Sequence, residues 1–112
     1  MHGLAWMEEA LREVEAAANC SGLREIIRVI LRRGQLSHHS PEELTLAWDL
    51  IKKGTICQEA ILVIEEEPAL ICCRDCGWKV KWDADLWYCQ VCGGELNLVS
   101  GTDLQLAGIQ GI

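Results

Sequence analysis

Apolar residues recur through the first part of the chain at three- and four-residue steps. Leu4, Met7, Leu11, Val14 and Ala18 carry the pattern, and Glu8, Glu9, Arg12, Glu13 and Glu15 fall between them. That period predicts an amphipathic helix to about Ala18, stopped by "NCSG" at 19–22. The next segment, "LREIIRVILRRG", fits two periods, because Arg24, Arg28 and Arg32 share a face of either a helix or a strand. Its β-branched residues (Ile26, Ile27, Val29, Ile30), its shortness and Gly34 at its end favour a strand.

The stretch "SHHSPEELTLAWDLIKKG" is less ambiguous. Ser40 with Glu43 makes a capping box, Pro41 suits the first helical position, and Leu44, Ala47, Trp48 and Ile51 form one apolar stripe. Lys52, Lys53 and Gly54 supply the charges and the left-handed residue that end a helix. "AILVIEEE" reads as a buried strand closed by Pro68. From 69 to 98 cysteine and tryptophan cluster and no helical period appears. The tail from Leu98, with Leu104 and Leu106 alternating with polar residues, predicts one last strand returning to the first domain.

Composition narrows the function. Half of the 112 residues are apolar, and 17 acidic against 10 basic side chains give a formal charge of −7. Such a surface repels phosphate backbones and anionic lipid, so neither nucleic acid nor membrane is expected as a partner. The longest apolar runs, such as "AILVI", are far short of the roughly 20 residues of a membrane span. The charges interleaved near the N-terminus are foreign to a signal-peptide core, and a cytoplasmic protein is expected.

Seven cysteines without a secretory signature point to metal rather than to disulfides. Five lie in "CCRDCGWKVKWDADLWYCQVCGG", as two Cys-x-x-Cys-Gly steps separated by twelve residues. Pairing Cys73 with Cys76 repeats the step of Cys89 and Cys92, which leaves Cys72 for the opposite face of its strand. Four thiolates in that arrangement match a tetrahedral zinc site, with Gly77 and Gly93 allowing the tight turns that aim amides at sulfur. With all four positions filled by protein, no site remains for a reactive water, so the zinc is expected to be structural. An iron–thiolate electron carrier is the distant alternative. Trp78, Trp82 and Trp87 are expected to pack around the knuckles, with a stacking platform for single-stranded nucleic acid as the other reading. Cys20 and Cys57 are expected to be buried or half-buried small apolar residues.

A second metal site is suggested by "MHG". The Met1 amine, the His2 amide nitrogen and the His2 Nδ1 close fused five- and six-membered rings on one ion, and three in-plane nitrogens suit square-planar Ni(II) or Cu(II). Met1 is expected to be retained, since histidine is large for a second residue. His38 and His39 are candidate extra nickel ligands, weighed against a solvated loop.

The start "MHGLAWMEEAL", the segment "RVILRRGQLSHHSPEEL", "IKKGT", "AILVIEEEPA", "CRDCG", "CQVCGG" and "LVSG" together resemble the HypA/HybF family of hydrogenase and urease nickel-incorporation proteins. The likeness covers essentially the whole chain. It implies an α+β fold in which two helices pack on a small β-sheet, with a four-cysteine zinc-ribbon domain inserted before the last strand. A nickel-binding domain at 1–68 and 99–112 and a zinc-binding domain at 69–98 are then expected. The resemblance implies a nickel metallochaperone and not an enzyme, with Ni(2+) as cargo and Zn(2+) as structural ion. Its nickel would be held by Met1 and His2, with the Gly3 backbone amide able to complete the square plane, and its zinc by Cys73, Cys76, Cys89 and Cys92. Implied partners are a HypB-type GTPase, the large subunit of nickel–iron hydrogenase and, where urease is served, urease accessory proteins; a homodimer is left open. Gly3 departs from the Met-His-Glu start of the family, which removes a carboxylate from the nickel site. The reading from another class is a zinc-ribbon module for protein interaction or single-stranded nucleic-acid binding.

Overall fold

A computed structural model describes residues 2–112, with side chains from Gly3 onward. The Met1 amine and the His2 imidazole, both expected nickel ligands, lie outside the described residues. Two helices and two small sheets make up the described residues, an α+β fold as expected. In order these are α1 (His2–Ser21), β1 (Ile26–Gly34), α2 (Pro41–Ile51), β2 (Ile61–Glu67), β3 (Leu70–Cys73), β4 (Lys79–Lys81), β5 (Leu96–Ser100) and β6 (Leu104–Gly111). No helix among the described residues is long and apolar enough to cross a membrane.

The chain divides into two compact units. The first takes in the N-terminal stretch to Arg32, His38–Glu65 and Gln105–Ile112. In it α1 packs on α2, and the strand order of its sheet is β2-β1-β6. Met7, Ala10, Leu11, Val14 and Ala18 line the buried face of α1, while Leu4 is only half-buried. Ile26, Val29 and Leu31 of β1 are buried, and the strand reading of this ambiguous segment holds. The β-branched side chains pack on a pleated surface that a helix would not offer them.

The helix α2 is built as its sequence predicts. The Ser40 hydroxyl accepts the Glu43 N–H at 3.1 Å, Pro41 opens the helix, and Leu44, Ala47 and Trp48 are buried. Trp48 satisfies its indole N–H on the Ala60 carbonyl at 3.2 Å, so a large buried ring leaves no donor orphaned. Gly54 adopts φ 75° just past the helix end. Cys57 is buried as expected, and burial pushes its thiol up to about 11, which keeps it neutral. Cys20 is exposed, because it lies on the solvent face of the last turn of α1.

The second unit comprises Arg33–Ser37 and Glu66–Leu104. Its sheet has the order β4-β3-β5, with β3 antiparallel to both neighbours. The tail therefore forms two strands, not one: β5 pairs with β3, and the chain turns at Gly101, at φ 98°, before β6. A Cβ on Gly101 would lie 2.4 Å from the Ala69 Cα, so only glycine permits the approach. Gln35 N–H donates to the Glu67 carbonyl and Leu36 N–H to the Gly101 carbonyl, which ties the 33–37 turn to the strand ends beside it.

Leu44→Ala should lower the unfolding free energy by about 3 kcal/mol, because it opens a cavity among fully buried neighbours. Leu46→Ala, at a residue 55% exposed on the same helix, should cost less than about 0.5 kcal/mol. Urea denaturation followed by tryptophan fluorescence measures both.

Candidate metal centre

Two turns of identical construction carry the four thiols. In the first, Cys73 ends β3, Gly77 N–H closes on the Cys73 carbonyl at 3.2 Å, and Gly77 has φ 80°. In the second, Gly93 N–H closes on the Cys89 carbonyl at 2.9 Å, and Gly93 has φ 76°. Each turn aims two amides at its first sulfur. Cys73 Sγ accepts from Asp75 and Cys76 at 3.4 and 3.5 Å, and Cys89 Sγ accepts from Val91 and Cys92 at 3.3 and 3.4 Å.

The sulfurs of Cys73, Cys76, Cys89 and Cys92 all lie within 4.8 Å of one another. The closest cross-turn pairs, Cys73 to Cys92 and Cys76 to Cys89, are 3.5 and 3.6 Å apart. A tetrahedral ion with metal–sulfur bonds of about 2.3 Å needs sulfurs about 3.8 Å apart, so the donor set fits a zinc ion. Cys72 is left out of the cluster, and its thiol points to the Cys73 carbonyl at 3.6 Å.

The charges of the four thiols are mutually dependent. Burial opposes ionisation of Cys89, but the N–H groups of Cys92 and Val91 and the adjacent thiols outweigh it and bring Cys89 down to about 6. At Cys92 the Gly94 amide favours the thiolate, yet the Cys73, Cys76 and Cys89 thiols and burial prevail and push it up to about 12. A divalent cation at the centre relieves that repulsion, which ties metal uptake to proton release.

Gly94 is a part of this site that sequence reading passed over. A Cβ there would lie 2.5 Å from an Asp75 carboxylate oxygen, 3.1 Å from Cys73 Sγ and 3.2 Å from Cys92 Sγ. Its one available signal was the doubled glycine of "CQVCGG". The tryptophans depart from expectation. Trp78 is half-buried, but Trp82 is exposed and Trp87 is 76% exposed, beside Tyr88 at 70%. The knuckles are too small to enclose several indole rings, so the outer ones face solvent.

At the start of α1 the described residues also converge. The Gly3 N–H donates to Glu43 Oε1 at 3.1 Å, across from one helix to the other. Glu43 Oε2 lies 3.7 Å from His39 Nδ1. The two helices therefore begin at the same end of the first unit. The Gly3 amide, then burial in opposition, then His39 and the Ser40 amide set the Glu43 carboxyl below its usual range. His39 is not a solvated loop residue: its side chain is 12% exposed. His38 is exposed, with its ring centroid 4.5 Å from that of His39.

The family model described as "Hydrogenase/urease nickel incorporation, metallochaperone, hypA" matches residues 1–111. The chain belongs to the HypA family. It is similar to the hydrogenase maturation factor HypA of Moorella thermoacetica, at 35% identity over 99% of each chain. That of Rhodobacter capsulatus is 32% identical over 92% of this chain and 91% of its own. Two solution structures share the fold. One is the nickel metallochaperone HypA of Helicobacter pylori (TM-score 0.72, 21% identity, 97% of this chain and 96% of that one). The other is a HypA protein with TM-score 0.81 and 23% identity, covering 100% of this chain and 97% of that one. HypA proteins are maturation factors of the nickel metallochaperone family, and the cysteine cluster of this member fits zinc.

Cys76→Ser and Cys89→Ser should each lose stoichiometric zinc by metal analysis, whereas Cys72→Ser keeps it. X-ray absorption should then show four sulfurs at about 2.3 Å. For Glu43 the folded-state pKa lies below the unfolded one. Its contribution is therefore complete above the usual carboxylate value of 4.5 and lost as pH falls through the lowered value. The Gly3 amide resonance should accordingly follow a titration whose midpoint lies below 4.5, with half of its shift complete at that midpoint.

Proposed function

We propose that this chain binds Ni(II) at its N-terminus and delivers it during maturation of nickel–iron hydrogenase, using zinc only as a staple. The observation that carries this reading is the match to the family model over residues 1–111 in a chain that opens Met-His. The Met1 amine, the His2 amide nitrogen and the His2 Nδ1 form the chelate, and Cys73, Cys76, Cys89 and Cys92 hold the zinc. The start of an α-helix suits such a chelate, because its first four N–H groups have no intrahelical acceptor. An amide there loses its proton to a metal without breaking the helix.

The Gly3 nitrogen completes a square plane only where it gives up its hydrogen bond to Glu43. His39 faces Glu43 at 3.7 Å with little exposure, whereas His38 is exposed. The chain carries its cargo unchanged, so it is not an enzyme. It works in the cytoplasm with a HypB-type GTPase and the hydrogenase large subunit, and with urease accessory proteins where urease is served. The nickel-binding role belongs to the first unit and the zinc-binding role to the second.

A second reading, a zinc-ribbon module for protein interaction, draws on the exposure of Trp87, Tyr88 and Val91. Asp83, Asp85 and Glu95 in the same unit disfavour single-stranded nucleic acid as what it would bind.

Nickel titration followed by ultraviolet absorption or calorimetry tests the chelate. The unaltered protein should bind one Ni(II) at its N-terminus, and His2→Ala or a one-residue N-terminal extension should abolish that binding while zinc stays in place. Equal nickel binding by all three would sink the proposal. Because amine, imidazole and amide must shed protons to ligate, affinity should weaken steeply as pH falls below about 7.

A further inference from the structure

The first turn of α1 has a partner that its own sequence neighbourhood does not supply. Gly3 N–H is an orphan donor of a helix start, and water would ordinarily satisfy it. Here Glu43, forty positions away on α2, takes it at 3.1 Å, while the other oxygen of the same carboxylate faces His39 Nδ1 at 3.7 Å. Glycine at residue 3 leaves room for the contact. A Cβ on Gly3 would lie 2.9 Å from Glu43 Cγ and 3.1 Å from both Cδ and Oε1, so a side chain at position 3 forces the Glu43 side chain to shift from where it accepts the Gly3 N–H.

We propose that Glu43 is a positioning residue for the N-terminal nickel chelate, holding the first turn of α1 through the Gly3 amide in a pairing that glycine at position 3 makes possible. The inference rests on the chelate reading above and adds to it a residue from another helix. An amide nitrogen that donates a hydrogen bond still carries its proton, so it is not at the same time an amide ligand. While Glu43 holds it, Gly3 stays outside the metal's donor set and acts through its N–H. Nickel then meets the nitrogens of Met1 and His2 on a backbone already ordered at the next residue, and less conformational freedom is lost on binding. The carboxylate also places negative charge beside a helix N-terminus, whose partial positive charge opposes a divalent cation.

Nickel titration of full-length, zinc-loaded protein tests the pairing. Glu43→Ala should weaken nickel binding about tenfold, the lower end of the losses seen when a group outside the donor set stops supporting a metal site. Glu43→Gln, whose carbonyl oxygen can still accept the Gly3 N–H, should recover most of that loss. Gly3→Ala should weaken binding to a similar extent by pushing the carboxylate away. The Gly3→Ala/Glu43→Ala double variant should be no weaker than either single variant, since both remove one contact. Unchanged zinc content and far-ultraviolet circular dichroism should show that every variant is folded. In the nickel-free protein the Gly3 amide proton should shift upfield in Glu43→Ala.

Nickel affinity unchanged in Glu43→Ala, or Gly3→Ala and Glu43→Ala losses that simply add, would overturn the proposal while leaving the chelate intact. Glu43→Gln as weak as Glu43→Ala would assign the effect to charge alone and overturn the positioning role. If His2→Ala titrates like the unaltered protein, the chelate reading itself fails and takes this proposal with it.

Discussion

Closure of the four thiols around one point is the constraint on which the second unit depends. Among its described residues only Ala69, Ile71, Cys73 and Cys89 are buried apolar side chains, and two of these are members of the cluster. So small a core contributes little against the entropy of ordering the chain, whereas a structural zinc contributes about 10 to 16 kcal/mol in comparable peptides. The geometry of the unit follows from that demand. Gly77 and Gly93 take positive φ so that amides reach sulfur, Gly94 has no side chain because Asp75 and two sulfurs occupy the space, and β3 brings Cys73 to the cluster.

The first unit is held by different means. Met7, Val14, Ile26, Leu31, Leu44 and Trp48 are fully buried, and burial on that scale needs no metal. An ion held at the start of α1, as proposed, would come and go without unfolding what carries it, which suits cargo. A four-thiolate site that holds its unit together suits the opposite role. The proposed division of labour between a resident zinc and a transient nickel thus corresponds to which unit has a hydrophobic core of its own.

Local patterns conveyed a good part of this. The apolar stripe of α1, the cap and stripe of α2, the β-branched run of β1 and the paired knuckles each depend on neighbours within a few residues, and such signals survive in a single chain. The single final strand was misread because alternation around Leu104 does not reveal that residues 96–100 pair instead with β3. The tryptophans were misread for a related reason: a Trp in a cysteine-rich segment looks like core, but enclosure depends on how many other residues come to surround it. His39 looked like loop, and only packing shows it facing Glu43 with little exposure.

Position 3 marks the boundary between the two kinds of information. By itself the sequence determined which four thiols converge, because a Cys-x-x-Cys-Gly turn aims its sulfurs through backbone geometry that five consecutive residues specify. It also determined the proposal of a nickel chelate at Met1 and His2, whose rings would close within two residues. It could present Gly3 only as a missing carboxylate and as a backbone amide able to complete the square plane. That the space beside Gly3 is filled by the Glu43 carboxylate was decided by the tertiary structure, because a hydrogen bond between residues forty apart exists only once α1 and α2 pack side by side.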